Sequence, residues 1–342
     1  MAQSFARTRS TFPMFAFMSR IPGGLMLIPL ALGILFGNFL PDAIGIGSFT
    51  TALFRDGTLT LIAVLIVATG AQITGSRSGK AAASTTLVVL FAKTLVPIGL
   101  AVTLGLTVGI EGVWGVSILA LITIFGNSNG ALWLAFAGQY GDERDQGAYV
   151  ASAFDDGPFL ALIFLGASGL GDIPVLAIVA ALVPFVIGLI IGAVDREWTS
   201  VLNTVAPITI PFMSFCVGTG ISLSEVLTGG MQGIVLGVLV VFFTGGLTYL
   251  GYRYILKRGN QSGIGFAAGT TAGNAVAVPA VVAAADSTFA PFVGAASAQA
   301  AAAVMVTAIL APLVAALVMK KQGGIAPSEA VTGSIKTSLA SD

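Results

Sequence analysis

T-I-F-G-N-S-N-G-A-L-W-L, residues 123–134, is an apolar run cut in its middle by Gly126, Asn127, Ser128, Asn129 and Gly130. The next apolar run, A-S-A-F-D-D-G-P-F-L-A-L at 151–162, carries two adjacent carboxylates, Asp155 and Asp156, just before Gly157 and Pro158. Amides and carboxylates inside hydrocarbon are costly unless they face a partner or a wet cavity, so they default to a functional hypothesis. The stretch reads as half of a transporter's substrate site.

Working outward, the whole chain has the composition such a site needs. Of 342 residues 56% are hydrophobic and 9% charged, with a mean hydropathy of +0.98, whereas a soluble domain carries about 25% charged residues. Lys+Arg and Asp+Glu are both 15, a balance that argues neither for nucleic acid nor for an acidic partner, and no nucleic-acid partner is expected. There is no His and one Cys, Cys216, inside an apolar run. This removes imidazole bases, thiolate–imidazole pairs, the usual zinc ligand sets and any disulfide framework. No cofactor or metal is expected. No Walker A motif appears, and Gly263-Ile264-Gly265 lacks both the preceding strand and the spacing of a dinucleotide fingerprint.

At about 20 apolar residues per crossing, ten spans are expected, at 21–40, 57–74, 81–108, 113–139, 147–170, 174–194, 202–223, 230–255, 263–285 and 290–319. A cleavable signal has an apolar core of about 7–15 residues, so Ile21–Leu40 is expected to be a retained first helix, with 1–20 as a cytoplasmic segment. The polar tail, 321–342, is expected to be disordered. Alternating the loops places Arg7, Arg9, Arg20, Arg77, Lys80, Arg144, Arg196, Arg253, Lys257, Arg258, Lys320, Lys321 and Lys336 on one side and Arg55 alone on the other. The positive-inside rule then puts both termini in the cytoplasm.

The chain also repeats itself. L-I-P-L-A-L-G-I-L-F-G (27–37) matches L-V-P-F-V-I-G-L-I-I-G (182–192), A-T-G-A-Q-I-T (68–74) matches G-T-G-I-S-L-S (218–224), and A-S-A-F-D-D (151–156) matches A-S-A-Q-A-A (296–301). Halves of five spans, 21–171 and 172–320, must sit upside down relative to each other, as in many secondary transporters. The fold class is therefore an all-α membrane protein of ten transmembrane helices in two inverted five-helix repeats, with discontinuous helices 4 and 9. The second interruption is G-T-T-A-G-N-A-V-A-V-P, 269–279, with Thr270, Thr271 and Asn274. Paired interruptions in matching places point to the binding site, where freed backbone groups hold an anion or a cation. The plain alternative is that small residues simply let helices pack closely.

Asp155 and Asp156 lie roughly 12–14 Å into their span at 1.5 Å per residue, and are expected to couple transport to an ion; the alternative is a structural carboxylate at the Gly157-Pro158 break. Lys93, near mid-membrane, is a possible charge partner for either aspartate or for a substrate carboxylate, with snorkelling as the alternative. Ser297 and Gln299 match Ser152 and Phe154 and are expected on the opposite wall. Trp114, Trp133 and Trp198 fit interface anchoring or packing.

I-P-G-G-L-M-L-I-P-L-A-L-G (21–33), N-G-A-L-W-L-A-F-A-G-Q-Y-G (129–141) and D-G-P-F-L-A-L-I-F-L-G (156–166) resemble the 2-keto-3-deoxygluconate permease family, over about Ile21 to Met319. The resemblance implies an inner-membrane symporter importing that sugar acid with protons. It also implies a fold like the bile-acid/sodium symporters, with a core of spans 3–5 and 8–10, crossing broken spans 4 and 9, and a panel of spans 1, 2, 6 and 7. The family's pattern before the Gly-Pro step is Glu then Ser; here Asp155 keeps the acid one methylene shorter and Asp156 adds a second.

The expected function is proton-coupled import of 2-keto-3-deoxygluconate or a close sugar acid by alternating access, not an enzymatic activity. The small organic anion would be held by Asn127, Ser128, Asn129, Thr270, Thr271, Asn274 and Gln299, with Asp155 and Asp156 taking the proton. Sodium coupling to another organic anion is the alternative. A passive channel would need neither the inverted repeat nor buried carboxylates. An intramembrane aspartyl protease needs carboxylates on facing helices, and here the pair is adjacent in sequence. Apart from the substrate, the expected partner is membrane lipid.

Overall fold

In hydrocarbon each backbone polar group must find its partner within the protein, and a helix does this inside one segment. The computed structural model describes residues 13–20, 24–75, 80–202, 204–221 and 223–324 and is helical almost throughout these. The expectations for residues before Pro13 and for a disordered tail beyond Gly324 lie outside the described residues.

Helix α1 is Gly24–Phe39 and α2 is Thr58–Gly75. Helix α3 starts as Lys80–Val89, passes through a π-helical turn at Leu90–Leu95 and continues as Val96–Val108. The expected fourth span is two half-helices, α4 (Ile118–Phe125) and α5 (Gly130–Tyr140). The fifth is also broken, into α6 (Tyr149–Phe154) and α7 (Phe159–Ser168). Helices α8 (Val175–Val194) and α9 (Val205–Thr219) follow. Helix α10 runs from Leu223 through π turns at Val240–Thr244 and Gly251–Ile255. The expected ninth span is 3₁₀-helical at Gly259–Ala268 and Gly273–Ala277, then α11 (Val278–Ala285); α12 (Val293–Lys321) is continuous.

Among the described residues five helices are long and apolar enough to cross a membrane, and bent pairs such as Ser48–Phe54 with Thr58–Ala71 (59°) raise this to seven. The chain is a multi-pass membrane protein. The other three expected spans correspond to α1, α4–α5 and α6–α7. The first is short and the other two are cut by their polar inserts, so none counts as one long helix. Discontinuous helices were expected at the fourth and ninth spans; the Gly157-Pro158 step, read as a break beside the carboxylates, divides the fifth into two helices as well, with Gly157 at φ +131°.

Two crossings fix one group of helices. A Cβ on Gly33 of α1 would lie 2.1 Å from the Phe215 carbonyl oxygen and 3.1 Å from Gly218 Cα of α9. On Gly188 of α8 it would lie 2.2 Å from the Val67 oxygen and 3.0 Å from Gly70 Cα of α2. Gly33 and Gly188 are aligned by sequence, but packing pairs Gly70 with Gly218, where the sequence match aligns Ala68. The register between α2 and α9 therefore differs by two residues from the one that short identities give.

A polar cluster closes the α5–α6 connection. Asp142 and Asp145 form a capping box on Glu143–Gly147. Arg258 pairs with Asp142 at 2.8 Å and with Asp145, whose side chain is fully buried. Tyr252 donates its hydroxyl to Asp145 at 3.0 Å, and Trp133 Nε1 donates to the Asp145 carbonyl at 2.8 Å. Burial opposes the Asp142 charge, but hydrogen bonds from Arg258 and Arg144 hold its carboxyl well below the usual carboxylate range. Trp133 thus packs inside, while Trp114 and Trp198 are exposed.

Candidate functional site

A broken helix leaves carbonyls without donors at one end and N–H groups without acceptors at the other. In α4 the last four carbonyls are all taken. Gly126 N donates to Ile122 (2.8 Å), Asn127 Nδ2 to Thr123 (2.9 Å), Thr271 Oγ1 to Ile124 (3.0 Å) and Lys93 Nζ to Phe125 (2.7 Å). The last places a basic side chain at the negative end of the half-helix dipole, worth up to ~2 kcal/mol in partly buried geometry. Across the gap, Asn129 Oδ1 caps α5 by accepting from Leu132 N at 3.0 Å, and Asn129 N donates to Thr270 Oγ1 at 3.0 Å. The two interruptions therefore meet and are hydrogen-bonded to each other, 129 to 270 and 124 to 271.

The carboxylates sit at the third break, beside this crossing. Asp155 is 1% exposed; its oxygens accept from Ser128 N (3.0 Å), Ser128 Oγ (2.6 Å) and Thr94 Oγ1 (2.5 Å). Asn127 Oδ1 accepts from Gly157 N at 3.0 Å, so the fourth and fifth breaks are joined twice. Lys93 is fully buried and electrostatically coupled to Asp155, without an ion pair within 4.0 Å. Asp156 differs: it is half-buried, accepts from Asn274 Nδ2 at 2.5 Å, and has Thr69 of α2 as a further polar neighbour. Asn274 Oδ1, next to Asp156, is buried and has no hydrogen-bond partner among the described residues.

Asn127, Ser128, Asn129, Thr270, Thr271, Asn274, Asp155, Asp156 and Lys93 are thus brought into one connected network. Gln299 is not part of it. Its Nε2 donates to the Gly115 carbonyl (2.9 Å) and Gln232 Oε1 (2.6 Å), toward α10. Ser297 does reach the second break, donating to the Val276 carbonyl at 2.8 Å. Two residues further along a helix is about 200° round it, so both could not face the crossing. Sequence reasoning missed Thr94, Thr307 and Thr69. Thr307 accepts from Thr271 N at 3.1 Å. Thr69 lies inside the repeated A-T-G-A-Q-I-T motif and Thr94 follows Lys93, which were the available signals.

The family profile described as 2-keto-3-deoxygluconate permease matches residues 15–324. The chain is 42% identical over 306 residues to 2-keto-3-deoxygluconate permease 1 of Salmonella typhimurium, covering 89% of this chain and 94% of the relative. It is 35% identical over 316 residues to the 2-keto-3-deoxygluconate permease of Bacillus subtilis, covering 90% and 93%. The Xanthomonas axonopodis permease of the same name is 36% identical over 318 residues, covering 90% and 97%. Matches of this length and identity carry the resemblance of the quoted stretches over nearly the whole chain: it belongs to the 2-keto-3-deoxygluconate permease family.

Proposed function

We propose that the chain is a secondary active transporter that carries 2-keto-3-deoxygluconate, or a closely related sugar acid, into the cell together with a proton by alternating access. The observation that carries this reading is Asp156. It is a half-buried carboxylate tied at once to the crossing breaks through Asn274 and to the α1–α2–α8–α9 group through Thr69. A proton on that carboxylate changes the contact between the two groups of helices, which is what coupling requires. The substrate's hydroxyls meet Asn274 Oδ1 and the crossover amides and hydroxyls, and its carboxylate meets the N-terminal end of α5. Asp155, enclosed by three donors, holds the fourth and fifth breaks together.

In this reading the halves 21–171 and 172–320 are inverted repeats, both termini are cytoplasmic, and the membrane is the inner membrane of a bacterial-type cell. The two glycine crossings, α1 on α9 and α8 on α2, have the reciprocal form that an inverted repeat gives.

The test is uptake of labelled 2-keto-3-deoxygluconate into proteoliposomes under an imposed proton or sodium gradient. Accumulation above equilibrium driven by the proton gradient alone is expected. Accumulation that needs sodium, or uptake that only equilibrates, overturns the coupling, and absence of uptake under both gradients overturns the substrate.

A further inference from the structure

We infer that Lys93 is a built-in cation: its ammonium fills the seat that a bound sodium ion would otherwise take at the C-terminal end of half-helix α4. The inference rests on the proton-coupled reading above and deepens it by saying why sodium is not required.

Four carbonyls end α4, and the structure accounts for each one. Three are satisfied by an amide N–H, an asparagine amide and a threonine hydroxyl; the fourth, Phe125, accepts from Lys93 Nζ. No carbonyl at this end is left over to ligate a metal ion. The neighbourhood nevertheless favours positive charge. The half-helix C-terminus carries the negative end of its dipole, and the fully buried Asp155 carboxylate is electrostatically coupled to the same nitrogen. Lys93 is itself wholly buried, and among the described residues its hydrogen bond is to that carbonyl. A compact ammonium at the end of a flexible stem suits a seat of point-charge size, which a planar guanidinium would not fit.

Packing of this helix does not by itself call for a lysine. L-F-A-K-T-L (90–95) and V-V-F-F-T-G (240–245) align on the π turns that fall on both, with Thr94 opposite Thr244. Phe243 stands where Lys93 stands and is 38% exposed. The charge belongs to one half only, the half that holds Asp155. Removing the ammonium frees the Phe125 carbonyl at the negative end of the half-helix dipole, an oxygen ligand of the kind that hard cations take.

The experiment compares wild type and Lys93→Ala in proteoliposomes with choline, sodium or methylammonium as the only small cation. Wild-type uptake is expected to be the same in all three. Lys93→Ala is expected to lose about tenfold or more in choline, the scale of one charge-assisted hydrogen bond, and to recover several-fold in sodium or methylammonium. Wild-type rates for Lys93→Ala in choline overturn the inference, as does loss that neither cation restores, or a sodium requirement in the wild type. Thermal melting of the purified variant in the same three salts reads the seat without substrate. A melting point raised by sodium or methylammonium in Lys93→Ala but not in wild type supports the inference even if the substrate assignment fails. No salt dependence in either protein overturns it.

Discussion

Asp155 and Asp156 are neighbours in sequence and opposites in environment. Adjacent residues on a helix point about 100° apart, and here the break at Gly157 adds to the divergence. Asp155 turns inward to Ser128 and Thr94, while Asp156 turns to Asn274 and Thr69. Their depth and chemistry could be read from the sequence; which one would touch both helix groups could not, because that depends on residues far along the chain, Thr69 on one side and Asn274 on the other. The assignment predicts different variants for different faults. Asp156→Asn keeps the shape and an acceptor oxygen but cannot carry a proton, so it should still exchange labelled for unlabelled sugar acid while accumulation falls to the equilibrium level. Proton-driven accumulation unchanged in Asp156→Asn would move the coupling elsewhere. Asp155→Ala strips three donors of their acceptor at about 1–3 kcal/mol each, and should appear as a lowered melting point and poor yield rather than as selective loss of coupling.

At the scale of elements, the interruptions were legible because they are local: Gly, Asn, Ser and Pro in an apolar run leave few helical options. The break at 126–129 and that at 269–272 fall inside the stretches read as interrupted. The Gly157-Pro158 step marks the fifth span in the same way, but the bonds that join it to the fourth, Ser128 to Asp155 and Asn127 to Gly157, depend on tertiary packing. The α2–α9 register was missed by two residues because small-residue motifs match at several offsets, and packing decides between them. That packing makes a prediction. Gly188→Val and Gly33→Val drive side chains into the Val67 and Phe215 carbonyls, and overpacking of this kind costs about 1–3 kcal/mol, so both should melt lower and express poorly. Gly99→Ala and Gly246→Ala, in helices with open space around the added carbon, should melt at or above wild type, given that alanine gains up to ~1 kcal/mol over glycine in a helix. Equal effects at all four positions would remove the crossings as the organising contacts.

For the whole molecule, topology turns on the broken apolar stretches, where charge and length bear together. Helices α4 and α5 together with their four-residue break amount to 23 residues, Ile118–Tyr140. At 1.5 Å per residue that is enough for a core of about 30 Å, provided the two halves are nearly in line. A hairpin returning to its own side would instead put the loops at Trp114 and Gln146 on the same face. The thirteen-to-one partition of basic residues holds only if the broken stretches cross, because Arg144 lies between the fourth and fifth of them. Single cysteines in a Cys216→Ser background test this directly. Serine there keeps a donor for the Arg55 carbonyl that the thiol now contacts at 2.9 Å. Trp114, Gln146, Asp172 and Lys257 are all exposed in loops or short turns. With a membrane-impermeant maleimide on intact cells, Trp114→Cys and Asp172→Cys should be labelled at once. Gln146→Cys and Lys257→Cys should be labelled only after permeabilisation. Labelling of Gln146→Cys from outside would make α4–α5 a re-entrant hairpin, and with it would fall both the ten-span count and the inverted relation of the two halves.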